Sequence, residues 1–238
     1  MRLTRKGSYT VAMPINEDVR IPALMYVEAH LINEGSIREG FTFISDPDLL
    51  ELIVLELKSA RYIFRLMEML DLKDTFSHPF CKFQIVQYAG VVEAVVDHLL
   101  FDRIYKNAKL ATKIYEARSR LETHTTPARV SGFSSTTEVN FGGKEAFLAV
   151  MKTSKKPRVN ISFESRLKEC LDLSFIDERL RAELAGFYKQ RNSVHLSAKL
   201  KNAITIELGD TKRAFQRINA LCENIKRGFS KHAEPVEA

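Results

Sequence analysis

The chain has 238 residues, enough for one large domain or two small ones, and 45% of them are hydrophobic. Its 10 glycines and 7 prolines are too few for a loop-rich or disordered protein. Three separated cysteines without a CxxC pair argue against a disulfide framework and a zinc site. The most apolar stretch, residues 85–100, is too polar and too short for a membrane span. We therefore expect a soluble cytoplasmic protein with no metal site and no cofactor.

The positive charge of the chain is concentrated in one segment. The net charge is +6, but residues 101–160 alone contain 12 Lys and Arg against 5 Asp and Glu, so the remainder is slightly negative. Such a concentration favours binding of a polyanion such as RNA. The alternative is a solubilising surface together with a mobile loop.

The N-terminal third contains two predicted helices. One begins at Pro22, a favourable first-turn residue, and ends near Gly35. The other follows a capping Asp46 and keeps its apolar period to about Leu72. We interpret residues 1–75 as an N-terminal helical extension.

The next predicted helix, residues 80–104, is apolar nearly all round. Such a helix is usually central and covered on several sides. Gly90 lowers helix stability, which suggests close packing against a neighbour at that point. His98 is expected to be a hydrogen-bonded core residue rather than a metal ligand. Residues 76–229 form the predicted main helical domain.

A Thr-, Ser- and Gly-rich stretch interrupts the helices over residues 122–157. We interpret it as a long basic loop inserted at 122–160, with a short helix at 144–151. Its C-terminal end carries four basic residues. In one interpretation they contact a phosphate backbone, and in the other they belong to a solvated loop. These candidate RNA-binding residues are Lys152, Lys155, Lys156 and Arg158.

Helices resume after the insertion. Ser162 and Ser174 are predicted to cap two of them, and Asp210 a third that ends at Gly228. We expect residues 230–238 to form a disordered tail. The composition and the periodicity together predict an all-α fold.

The peptide Tyr-Lys-Gln-Arg191-Asn192-Ser-Val-His195-Leu suits phosphate chemistry. On a helix, Arg191 and His195 are four apart and share one face. Arg holds phosphate by charge-assisted hydrogen bonds, and His titrates near neutrality. RNA supplies its own nucleophile, the 2′-hydroxyl, so cleavage without a metal needs a base, an acid and a cation. The alternative is that Arg191 pairs with a carboxylate and His195 closes a helix end.

The same peptide resembles the Arg-Asn-x-x-His motif of HEPN-type helical proteins, in which a late helix carries Arg, a polar residue and then His. The resemblance extends to Tyr88-Ala-Gly-Val-Val-Glu93-Ala, since these families often have a Glu-bearing core helix with small residues. It covers roughly residues 81–228. Nuclease members usually place four to six residues between Arg and His, whereas this chain has three.

The resemblance implies a HEPN-like helical bundle and a metal-independent endoribonuclease. Arg191 would then bind the phosphate, His195 would act as acid or base, and Asn192 would orient the substrate or the His. Glu93 would orient these groups, and we slightly favour a contact between Glu93 and Arg191. The alternative is that Glu93 and Asp97 share a wet face or an interface.

Family resemblance also implies partners. HEPN domains often dimerise so that two motifs face one cleft, so we expect a homodimer. A toxin or phage-defence setting, with an antitoxin or regulatory protein as partner, follows from the resemblance alone. Two rival hypotheses remain open beside the enzyme. One is a non-catalytic module that binds RNA or nucleotide, and the other is a helical dimerisation module whose motif is structural.

Overall fold

The computed structural model describes most of the helical part of the chain. The described residues are 16–102, 116–117, 119–121, 123–129, 139–141, 144–146, 149–155, 161–194 and 206–232. The helices are α1 (Glu17–Ala29), α2 (Glu34–Gly40), α3 (Pro47–Met69), α4 (Asp74–Phe101), α5 (Phe163–Asp172), α6 (Glu178–Asn192) and α7 (Leu208–His232). The strands are β1 (Thr123–Arg129), β2 (Val139–Phe141), β3 (Lys144–Ala146) and β4 (Ala149–Lys155).

Helix α4 is the centre of a helical bundle. It contacts α3, α5, α6 and α7, and its residues Val95, Val96, Leu99 and Leu100 are fully buried. The predicted central position of this helix is therefore confirmed. The helix begins earlier than predicted, at Asp74, and continues through Pro79.

One continuous core includes buried residues of α2 through α7, from Ile37 to Ile225 in chain order. Residue 75, the predicted limit of the N-terminal extension, falls in the first turn of α4, and α3 packs on α4 within this core. The division of the chain into an extension and a main domain stays a prediction. No described helix is both long enough and apolar enough to cross a membrane.

The inserted segment is not a loop where the structure describes it. β1 pairs antiparallel with β4, from Thr123 opposite Lys155 to Arg129 opposite Ala149, and β2 pairs with β3. The predicted short helix at 144–151 is wrong, because β3 and β4 occupy its described residues. Threonine, which favours strands, supplies three of the seven residues of β1. A Gly-Gly pair, favoured in two-residue hairpin connections, separates β2 from β3 in the sequence.

Two predicted helix ends are also corrected. Helix α6 begins after Asp177, whose carboxylate accepts the backbone N–H of Leu180 at 2.7 Å, whereas Ser174 has a φ of 62°. The start of α5 is confirmed, because Ser162 accepts the backbone N–H of Ser165. Helix α7 continues through Gly228 to His232, so residues 230–232 belong to a helix rather than to the predicted tail. Residues 233–238 lie outside the described part of the chain.

Gly90 and Gly228 are both helical but differ in their surroundings. A Cβ added at Gly228 would lie 2.5 Å from Cδ1 of Phe175, so this glycine lets α7 approach the segment before α6. At Gly90 an added Cβ would meet nothing within 4 Å. The predicted close packing at Gly90 is therefore wrong.

We expect Gly90→Ala to stabilise the protein by about 0.5–1 kcal/mol, because alanine has the higher helix propensity and the added methyl group meets free space. Gly228→Ala is the matched variant, and we expect it to lose about 1–3 kcal/mol through overpacking against Phe175. Urea unfolding measures both free energies. A destabilised Gly90→Ala variant would contradict this description of the α4 surface.

His98 is a buried core residue, as predicted. Its Nε2 accepts the backbone N–H of Ser45 at 3.3 Å, which leaves the proton on Nδ1, 3.8 Å from the carboxylate of Asp102. Burial lowers the pKa of His98, although Asp102 and Asp46 oppose that shift. The folded state therefore favours the neutral ring that can accept the Ser45 hydrogen bond.

This lowered pKa predicts a pH dependence of stability. The folded protein binds fewer protons at His98 than the unfolded chain does. The contribution of His98 to the free energy of unfolding is therefore complete above the unfolded pKa of about 6.5 and is lost as the pH falls below it. His98→Gln keeps an acceptor for Ser45 but cannot titrate. We expect a flatter dependence of the unfolding free energy between pH 7 and 5 in this variant. An identical slope in both proteins would exclude His98 as the cause.

Candidate functional site

The C-terminal end of α6 carries the first two residues of the Arg-Asn-x-x-His motif. Arg191 and Asn192 lie in its last turn, and Ser193 caps the helix with its N–H directed at three preceding carbonyls. Regular helical spacing therefore stops before residue 195. The predicted sharing of one helical face by Arg191 and His195 does not follow from α6, and His195 itself lies outside the described residues.

The guanidinium of Arg191 is partly exposed and rests on an aromatic ring. Its Cζ lies 5.4 Å from the ring centroid of Tyr188, a cation–π distance, and one Nη donates to Oδ1 of Asn192 at 3.1 Å. No carboxylate within the described part of the chain pairs with Arg191. The alternative, in which Arg191 pairs with a carboxylate, therefore has no support among the described residues. Its charge is available to an anion.

Tyr188 connects this exposed cation to the interior. Its ring stacks on Phe163 of α5, with centroids 4.3 Å apart and an interplanar angle of 26°. Its hydroxyl donates to Oε1 of Glu93 at 3.5 Å, a long hydrogen bond. Burial and then the charge of Glu93 raise the pKa of Tyr188, which keeps the hydroxyl protonated as a donor. Two neighbouring helices therefore fix the ring on which Arg191 lies.

The interior partner of Glu93 is Arg166 of α5. This guanidinium is only 7% exposed, and its Nη1 lies 2.6 Å from Oδ1 of Asp97 and 3.3 Å from Oε1 of Glu93. Its Nη2 donates to the carbonyl of Ile161 at 2.9 Å. The favoured contact between Glu93 and Arg191 is absent from the described ion pairs, because Arg166 occupies the acid instead.

Asp97 is the second acid of this cluster. Burial raises its pKa, and the charge of Arg166 opposes that effect. Glu93 and Asp97 are four residues apart on α4 and so project from one face toward the same cation. The side chains of Glu93 and Asp97 are 26% and 41% exposed, so the alternative of a shared wet face fits this arrangement, in which both acids also contact the buried Arg166.

Sequence reasoning missed Arg166 and gave no role to Tyr188. A signal for Arg166 was present, because two acids four apart on an apolar helix cost free energy unless a cation pairs with them. Arg166 lies between Phe163 and Leu167 on the buried side of α5, so its position also indicated burial. The residues that the structure brings together are Glu93, Asp97, Arg166, Tyr188, Arg191 and Asn192.

The predicted basic RNA-binding cluster is described only in part. Lys152 and Lys155 lie in β4, opposite Thr126 and Thr123 of β1. Lys156 and Arg158 lie outside the described residues. The contacts of β4 are chiefly with β1, so this cluster belongs to the hairpin rather than to the site on α6.

A small apolar pocket lies behind Tyr188, between α4, α5, α6 and α7. Its volume is about 10 Å³, which is room for one water molecule. The residues around it include Tyr88, Val92, Phe163, Leu184, Phe187 and Tyr188. This pocket is therefore too small to hold a nucleotide.

We expect Arg166→Met to destabilise the protein by about 2–4 kcal/mol, because it leaves two partly buried carboxylates without their cation. The pKa of Asp97 is already raised by burial, and loss of Arg166 raises it further. A raised folded pKa means that the folded state binds more protons, so the deficit should be smaller at pH 5 than at pH 7.

Arg181→Met is the matched control for this substitution. Arg181 pairs with Glu178 three residues away on the surface of α6, and such pairs contribute at most about 1 kcal/mol. Urea unfolding of both variants at the two pH values measures the difference. Equal losses in the two variants would show that the cluster of Glu93, Asp97 and Arg166 does not hold α5 on α4.

Comparison of the chain with protein-family models, with curated proteins and with solved structures finds no match in any of the three.

Proposed function

We propose that this protein is a HEPN-like, metal-independent endoribonuclease whose site is the C-terminal end of α6. The observation that carries the proposal is the state of Arg191. Its guanidinium is partly exposed, is held on the Tyr188 ring and has no carboxylate partner among the described residues. A cation in that state suits the binding of a phosphodiester.

The proposed reaction uses the 2′-hydroxyl of the RNA as nucleophile. Its oxygen attacks the adjacent phosphorus, the bond to the 5′-oxygen breaks, and the products carry a 2′,3′-cyclic phosphate and a free 5′-hydroxyl. His195 serves as acid or base for the protons involved. Arg191 stabilises the charge that develops on the non-bridging oxygens. Asn192 orients the substrate or the histidine.

Glu93 contributes to this reaction by positioning. It accepts the hydroxyl of Tyr188, and the ring of Tyr188 supports Arg191. Arg166 in turn fixes Glu93. From the interior to the surface, the contacts therefore run from Arg166 to Glu93, then to Tyr188 and Arg191. Each residue restricts the position of the next, so the packed core restricts the position of the guanidinium that would bind phosphate.

The setting of the enzyme is proposed from family resemblance. We propose a homodimer in which two copies of the motif face one cleft, which would double a sparse set of catalytic groups. An antitoxin or a regulatory protein would restrain the activity in a toxin or phage-defence system. Lys152, Lys155, Lys156 and Arg158 would supply further contacts to the RNA backbone.

A second candidate is a module that binds RNA or nucleotide without cleaving it. The observation that favours it is the end of α6 at Asn192, because the helix does not itself place His195 beside Arg191. In this alternative, Arg191 and Asn192 hold a phosphate and His195 has no chemical role. Binding would then survive the loss of His195.

Cleavage of a mixed RNA pool in EDTA separates the two candidates. We expect the wild-type protein to cleave the RNA, and we expect His195→Ala to lower the cleavage rate about 10²–10⁴-fold. Arg191→Gln should lower the cleavage rate about 10²–10³-fold, because the variant lacks the cation that stabilises the transition state. Arg181→Gln changes another arginine of the same helix and should leave the rate unchanged. Gel analysis with detection of cyclic phosphate ends gives the readout.

Two results would contradict the enzyme. Equal cleavage by wild type and His195→Ala would exclude His195 from catalysis. Absence of cleavage by well-folded wild type, with RNA binding that depends on Arg191 alone, would favour the binding module. Circular dichroism of each variant establishes that the fold is retained.

A further inference from the structure

Three positive side chains converge on one buried ring away from the motif. The Cζ atoms of Arg61 and Arg65 lie 4.6 and 5.7 Å from the ring centroid of Phe64, and Nζ of Lys212 lies 5.6 Å from it. Arg61 and Arg65 belong to α3, whereas Lys212 belongs to α7. We call Arg61, Arg65 and Lys212 the cation cluster.

Only one of these cations has a carboxylate partner among the described residues. Arg65 pairs with Glu68, and its Nε donates to the carbonyl of His30 at 2.9 Å, which ties α3 to α1. Neither Arg61 nor Lys212 has a carboxylate oxygen within 4 Å in the described part of the chain. The cluster therefore carries more positive charge than its acid neutralises.

Arg61 is held firmly in this arrangement. Its guanidinium also lies 4.7 Å from the ring centroid of Phe215, so two aromatic rings contact it. Burial and the charge of Arg65 both lower the pKa of Arg61, so a charge at this position costs free energy. A held side chain loses little conformational entropy when it binds a ligand. An anion placed between Arg61 and Lys212 would relieve the repulsion of like charges.

Packed aromatic residues connect the cation cluster to the proposed active site. The ring of Phe215, on which Arg61 lies, packs against Tyr88 with centroids 5.8 Å apart, and Tyr88 borders the small pocket that Tyr188 also borders. Tyr188 in turn supports Arg191. Two cationic positions thus lie at the two ends of a short row of packed aromatic residues.

We infer that Arg61 and Lys212 bind a backbone phosphate of the same RNA strand whose scissile phosphate lies at Arg191. The inference rests on the proposed function and extends it, because it adds a second phosphate contact outside the motif. Arg65 helps to hold α3 in place for this contact. The ligand group is a phosphodiester, recognised by charge and not by base identity.

Binding of a 2′-O-methyl single-stranded RNA tests the inference, because this RNA lacks the nucleophile and cannot be cleaved. Fluorescence anisotropy at a series of KCl concentrations gives the slope of log K against log salt. Lys212→Gln should make the slope less steep by about 0.7, the effect of one lost phosphate contact on a single strand. Lys168→Gln removes an exposed lysine of α5 and should keep the wild-type slope. Lys212 is exposed, so its variant is expected to fold.

The outcomes separate this inference from the proposed function. A slope for Lys212→Gln equal to that of the Lys168→Gln control overturns the inference, even if RNA is cleaved at Arg191. Failure of wild type to bind the 2′-O-methyl RNA also overturns it. A reduced slope in Lys212→Gln, with no cleavage of ordinary RNA by wild type, supports the phosphate contact and rejects the nuclease.

Discussion

The buried guanidinium of Arg166 is the interaction on which the rest of the site depends. A charge that is only 7% exposed is tolerated because Asp97, Glu93 and the carbonyl of Ile161 accept its hydrogen bonds. These acceptors lie on the central helix and at the start of α5, so the ion pairs fix the contact between the two helices. The orientation of Glu93, and through it that of Tyr188, follows from this arrangement. A buried cation thus determines where an exposed one is held.

The two arginines of the site have opposite roles because their surroundings differ. Arg166 is surrounded by acids that neutralise it, so it has no charge left for a ligand. Arg191 has an aromatic ring beneath it and an amide beside it, neither of which neutralises it. The cation cluster at Phe64 repeats the second arrangement, since the rings of Phe64 and Phe215 hold Arg61. Support by aromatic groups keeps a guanidinium ordered and still available to a phosphate.

Much of the helical fold could be predicted from local signals. The cap at Ser162 and the central position of α4 followed from a capping hydroxyl and from an apolar surface on all sides. The hairpin was missed because threonine occurs in both loops and strands while the glycines indicated turns, and only pairing with a distant segment decides between loop and strand. The start of α6 was misplaced because Ser174 and Asp177 are both acceptable caps. The position of Arg166 on α5 indicated burial, but its pairing with Glu93 and Asp97 spans about 70 residues of sequence, and no local pattern identifies such partners.

Side-chain NMR is the most direct test of the two roles assigned here, in which Arg166 is a structural cation and Arg191 binds the phosphate. The Nε–Hε resonances of the ¹⁵N-labelled arginines would be followed while the 2′-O-methyl RNA is added. We predict that the Arg191 resonance shifts to saturation while the Arg166 resonance stays in place, since its guanidinium remains bound to Glu93 and Asp97. An unchanged Arg191 resonance at saturating RNA, or a shift of Arg166 instead, would contradict the account.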